Sequence, residues 1–169
     1  MADTSNKEVE RVMLAETRED VSKADQKASM ILASLGIGVG AVLAGVLAGD
    51  WKPMDLHGLG EVGWWIGAAL LGGAISCAGA AVWPRYDAGD ASAGIYYWAH
   101  VASFSSLSSL TAALDSNTPT LDDRTRNQLW SMSKIANLKY GLIRKSMGLT
   151  AASIVFIFAS LFVSAALKP

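Results

Sequence analysis

The side chains best suited to chemistry in this sequence are cations set among amides and aromatics. Asn137-Leu138-Lys139-Tyr140 is followed one helical turn later by Arg144 and Lys145. Asp25-Gln26-Lys27 and Pro84-Arg85-Tyr86 place further cations beside polar or aromatic neighbours, and Arg18 stands two turns ahead of Asp25. Cations that converge from several helices hold a phosphate through charge-assisted hydrogen bonds, and Tyr97 or Trp98 would stack on a base. On that reading Arg18, Lys27, Arg85, Lys139 and Arg144 serve a phosphate or structural ion pairs, while Asn137 and Tyr140 face a base or ribose. A second reading uses the same cations at the surface of a bilayer, against anionic headgroups. Asp25 has its own alternative, an ion pair with Lys139 or Arg85, because a carboxylate near lipid is costly without a partner.

Signatures of catalysis are sparse. There is no phosphate-cradling GxxxxGK loop, no GxSxG elbow and no His-x-x-x-His pair. One cysteine, Cys77, permits neither an intrachain disulfide nor a cysteine metal cluster. Asp122-Asp123 suits the first turn of a helix better than a metal. No catalytic residue, metal or cofactor is expected, and no nucleic-acid partner.

The elements that must position these cations follow from where charge is missing. Ala28 to Gly49, Val62 to Trp83 and Met147 to Leu167 contain no Asp, Glu, Lys, Arg or His over 22, 22 and 21 residues. At about 1.5 Å per helical residue each spans the roughly 30 Å of a hydrocarbon core. Three such runs in 169 residues leave too little polar surface to cover them in water. The fold class expected is therefore an all-α integral membrane protein with three transmembrane helices. The Gly36-Ile37-Gly38-Val39-Gly40 run then falls within a span, where a dinucleotide fingerprint has no place. Gly63 with Gly67, and Gly72 with Ser76, have the small-xxx-small spacing that lets helices approach closely in lipid.

Charge also sets orientation. Of 14 basic residues, five precede the first span and seven, from Arg85 to Lys145, lie between the second and third. Lys52 and Lys168 alone fall on the other side. The positive-inside rule puts the N-terminus in the cytoplasm and the C-terminus outside, and it separates His57 from His100. The organisation expected is a cytoplasmic helix over 1–29, a transmembrane hairpin over 30–83, a cytoplasmic helical region over 84–146 and a third span over 147–169. Asn6 to Lys27 has no Gly or Pro before the first span, so one continuous helix is expected there. Asp90 to Leu114 reads as a helix, Asp115 to Pro119 as a turn, and Pro119 as the first position of a helix that runs into the third span. Two of the three spans thus extend into a cytoplasmic bundle.

Several of these residues also carry a family resemblance. Arg18 followed by Asp25-Gln26-Lys27-Ala28-Ser29, then Trp83-Pro84-Arg85-Tyr86, Ile95-Tyr96-Tyr97-Trp98 and Gln128 to Tyr140 ahead of a final span, in that order, resemble the transmembrane effector proteins of Pycsar anti-phage systems. The resemblance implies a bacterial inner-membrane protein that senses cyclic CMP or cyclic UMP, made by a partner nucleotide cyclase during infection. It also implies that the protein then impairs the membrane, as a homo-oligomer. The candidate ligand residues above come from spacing, not from the resemblance. A structural anchor or accessory subunit is the competing expectation. A membrane-embedded enzyme would have only uncharged groups within its spans, such as Ser76, Cys77, Ser153 and Ser160.

Overall fold

The computed structural model describes residues 2–49, 52–56, 58–84, 95–96, 98–116 and 120–166, and for residues 2–4, 98 and 99 the backbone alone. The described residues are helical apart from short connections, with no strand among them. Five α-helices follow in order: α1 Ala2–Ala48, α2 Leu59–Val82, α3 Trp98–Ala102, α4 Leu107–Ser116 and α5 Leu121–Ala166, with one 3-10 turn at Pro53–Asp55. Three of them, α1, α2 and α5, are long and apolar enough to cross a membrane. The continuity expected for α1 and α5 is present, over 47 and 46 residues.

Local chemistry explains the helix ends. Gly49 takes φ +80°, a backbone state that favours glycine, and its N–H donates to the Val46 carbonyl at 3.2 Å to close α1. Trp83 and Pro84 follow α2, and proline cannot continue it. Thr120 caps α5: its hydroxyl accepts the Asp123 N–H at 3.2 Å. The sequence placed this start at Pro119, which lies outside the described residues together with Asn117 and Thr118. Asp115 and Ser116, expected in a turn, are the last residues of α4.

The single helix expected over Asp90 to Leu114 is interrupted. Residues 90–94 and Tyr97 lie outside the described residues, and α3 and α4 are separate helices. Serine hydroxyls divide them. Ser103 Oγ donates to the His100 carbonyl at 2.7 Å, and Ser106 Oγ accepts the Ser109 N–H at 3.2 Å. Such local bonds offer the backbone a partner other than the helix ladder.

The chain divides into two compact units. One comprises Met1–Lys23 and Pro84–Asn137; the other, Ala24–Trp83 and Leu138–Pro169. In the first, α1 and α5 run parallel, joined by Lys7–Asp122 at 2.8 Å and Glu10–Arg126 at 2.9 Å. In the second, α2 and α5 run antiparallel along a seam of small residues. Ser153 Oγ donates to the Gly67 carbonyl at 2.7 Å, Ser146 Oγ to the Ala74 carbonyl at 2.8 Å, and Ser160 Oγ to that of Gly60. Donors and acceptors both recur every seventh residue, the repeat that keeps one helix face against another. The close approach needs glycine. A Cβ at Gly67 would lie 2.7 Å from Ile157 Cγ1 and 3.3 Å from the Ser153 carbonyl.

The small-residue spacing read in α2 thus makes contact at Gly63 and Gly67. Gly72 has open space around it, and Ser76 bonds back to the Gly72 carbonyl at 2.8 Å. In α1, Gly36, Gly38, Gly40 and Gly45 also face open space.

Candidate functional site

In the first unit a chain of hydrogen bonds crosses from α1 to α3. Arg18 Nη2 donates to Gln128 Oε1 at 2.6 Å. The Gln128 amide then donates from Nε2 to the Tyr96 carbonyl at 3.1 Å. The Tyr96 N–H in turn donates to His100 Nδ1 at 3.2 Å, so both backbone groups of Tyr96 are held by side chains. His100 is buried, and its ring meets that of Tyr96 edge-on, with centroids 6.0 Å apart. A ring nitrogen that accepts this N–H leaves the other to carry the proton of the neutral tautomer.

The arrangement offers a guanidinium, which is exposed, beside an amide that also holds the Tyr96 backbone. Arg18 has five N–H donors in a planar fork, and a phosphate can take those that Gln128 does not use. Asn137, also in this unit, is exposed on α5. Two ion pairs set the electrostatics nearby. The Lys7 ammonium bonded to Asp122 holds that carboxyl below its ordinary range, and the Glu10 carboxylate bonded to Arg126 raises the guanidinium. Lys134 lies over the Trp130 ring, 4.3 Å from its centroid.

In the second unit the remaining candidates have separate environments. Lys139 is 4% exposed and donates to Asp25 Oδ1. Ala24, Ala28, Ala81 and Ile143 form the apolar cluster at this end of the unit. Of the partners weighed from sequence for Asp25, the structure selects Lys139. The Lys27 ammonium stands 5.3 Å above the Tyr140 ring centroid, and Arg144 is exposed. Arg85 and Tyr97 lie outside the described residues, as does the Trp98 side chain. Arg18 and Asn137 therefore belong to one unit, and Lys27, Lys139, Tyr140 and Arg144 to the other. Among the described residues no group of three His, Cys, Asp or Glu side chains is placed to hold a metal.

Sequence reasoning did not single out Gln128 or His100 as site residues. A usable signal existed for the first. Thr125, Gln128, Met132, Ile135 and Lys139 follow one another at intervals of three and four along one half-buried face of α5. A glutamine and a lysine on an otherwise inward stripe demand partners. His100 had no such mark, because α3 has only five residues and shows no periodicity of its own.

Residues 10–166 match a family model described as the Pycsar effector protein domain. Comparison with curated proteins and with solved structures gives no match.

Proposed function

The chain belongs to the Pycsar effector protein domain family, and on that footing we propose that it responds to a cyclic pyrimidine nucleotide, cyclic UMP or cyclic CMP, by impairing the membrane. Family membership supports the role in anti-phage defence, and the three long apolar helices support the membrane as its place of action. The observation that carries the mechanism is the length of α1 and α5. Each contains both a charged segment and an uncharged one without a break. A rotation or tilt imposed on the charged segment of a continuous helix is passed along its axis.

The proposed orientation keeps the charged segments in the cytoplasm, where a cyclase would supply the nucleotide. Arg18 receives the phosphate in competition with Gln128, whose amide holds the Tyr96 backbone. Losing Arg18 to the ligand frees Gln128 Oε1, so binding and the α1–α5 contact are linked through one guanidinium. Asn137 is the amide proposed for the base or ribose, and Arg85 a second cation for the phosphate. Lys139 enters this reading as a structural group, since Asp25 already engages it. Activated protomers then assemble into a leaking homo-oligomer, and no catalytic step is involved. A ligand shifts such an equilibrium only as far as it prefers one packing over the other.

The test is dye release from liposomes that hold the purified full-length chain. Cyclic UMP or cyclic CMP is expected to trigger release and to bind in calorimetry, with cyclic AMP as the control. Arg18→Ala should abolish both responses. If neither pyrimidine nucleotide binds or causes release, the reading falls, and an anchor or accessory subunit takes its place.

A further inference from the structure

In the second unit an open groove of about 350 Å³ lies between α1 and α5. Met30, Ile31 and Leu35 line it from α1, and Met147, Ala151 and Ile154 from α5. Its two hydroxyls are already committed. Ser34 Oγ donates to the Met30 carbonyl at 2.9 Å, and Thr150 Oγ1 to the Ser146 carbonyl at 2.9 Å. Such a lining suits hydrocarbon and gives a nucleobase no donor.

One end of the groove is charged. Lys27 lies one turn before Met30 and Ile31, and Arg144 one turn before Met147. Helical side chains lean towards the N-terminus, so both cations extend past the groove on the same side. The 5.3 Å approach of Lys27 to the Tyr140 ring joins the two helices at this level. Both cations are exposed, and among the described residues neither forms an ion pair, while Asp25, two residues before Lys27, is held by Lys139. They are also the last charges, with neighbouring Lys145, before the uncharged runs from Ala28 and Met147.

We propose that this groove is a binding site for one anionic phospholipid, with an acyl chain along the groove and the headgroup phosphate between Lys27 and Arg144. Charge complementarity selects the occupant. The lining takes a chain, two unpaired cations take a phosphodiester, and the junction between them falls where charge ends along both helices. A seated lipid bridges α1 and α5 and adds its contacts to the Asp25–Lys139 pair.

The experiment uses the full-length chain in detergent with phosphatidylglycerol or phosphatidylcholine added, read by native mass spectrometry and thermal melting. Phosphatidylglycerol should be retained selectively and should raise Tm. Lys27→Gln with Arg144→Gln should cut that selectivity by about thirtyfold, the scale expected for two surface cations. Ala151→Met fills the groove with the cations intact. It should displace the lipid while the protein in phosphatidylcholine melts as before. Equal retention of both lipids, or unchanged retention in Ala151→Met, overturns the proposal. Displacement of phosphatidylglycerol by millimolar cyclic UMP or inorganic phosphate also overturns it, by assigning the cations to a soluble phosphate.

Discussion

The two units solve the same problem, holding one long helix against another, with opposite kinds of contact. In the first, the reach of Lys7, Glu10 and Arg18 to Asp122, Arg126 and Gln128 joins α1 to α5 through the ends of long polar side chains. In the second, α2 meets α5 through serine hydroxyls and glycine carbonyls, with backbones too close for a Cβ at Gly67. Exposed ion pairs contribute little each, weaken with salt and tolerate a shift of the chain. A hydroxyl-to-carbonyl bond every seventh residue fails for the whole face if the helix slips. The polar contacts can be remade around a ligand, whereas the small-residue seam permits one register.

The largest effect should come from filling the seam. Gly67→Val puts methyl groups against Ile157 and the Ser153 carbonyl, and overpacking of this kind costs about 2–3 kcal/mol. Gly45→Val, with nothing within 4 Å of its Cβ position, should cost almost nothing. Unfolding of both variants in mixed micelles measures the difference. Equal costs would erase the contrast between a seated and an open glycine.

The next test separates the two members of the buried pair. Lys139 has a side chain 5% exposed, while that of Asp25 is 42% exposed. Removing Asp25 strands a buried ammonium; removing Lys139 leaves a carboxylate that water can reach. Asp25→Asn should therefore destabilise by about 2–3 kcal/mol and Lys139→Met by roughly 1. The reverse order in the same unfolding assay would show that the carboxylate, not the lysine, is the desolvated partner.

The smallest effect belongs to the polar contacts. Lys7 lowers the Asp122 pKa from its ordinary 3.8, so the carboxylate's contribution is complete above that value. It is lost as pH falls through the lower folded value. The stability difference between the parent chain and Asp122→Asn should be slight at pH 6. It should shrink in 1 M salt and vanish once pH has fallen below the lowered folded value. A difference that persists in high salt would mean that this pair behaves like the contacts of the seam.

Much of the fold is legible along the chain. The uncharged runs predict α1, α2 and the end of α5, and the lack of Gly or Pro before Ala28 predicts the continuity of α1. The break between α3 and α4 is harder to read, because Ser103 and Ser106 are acceptable within a helix until their hydroxyls find backbone partners. The candidate site is less legible still. Arg18, Lys27, Lys139 and Arg144 are alike as cations in sequence, yet one holds an amide, one a ring, one a carboxylate, and one stands exposed.

By itself the sequence determines the properties that depend on neighbours within a few turns: which segments are apolar enough for lipid, where charge stops, and which helices can continue. Only the tertiary structure decides partners that are far apart in the chain. Asp25 and Lys139 are separated by 114 positions, and Gly67 and Ser153 by 86. Whether such residues meet depends on the register and rotation of whole helices. A shift of one residue turns an α-helix by about 100° and would carry every serine of the seam away from its carbonyl.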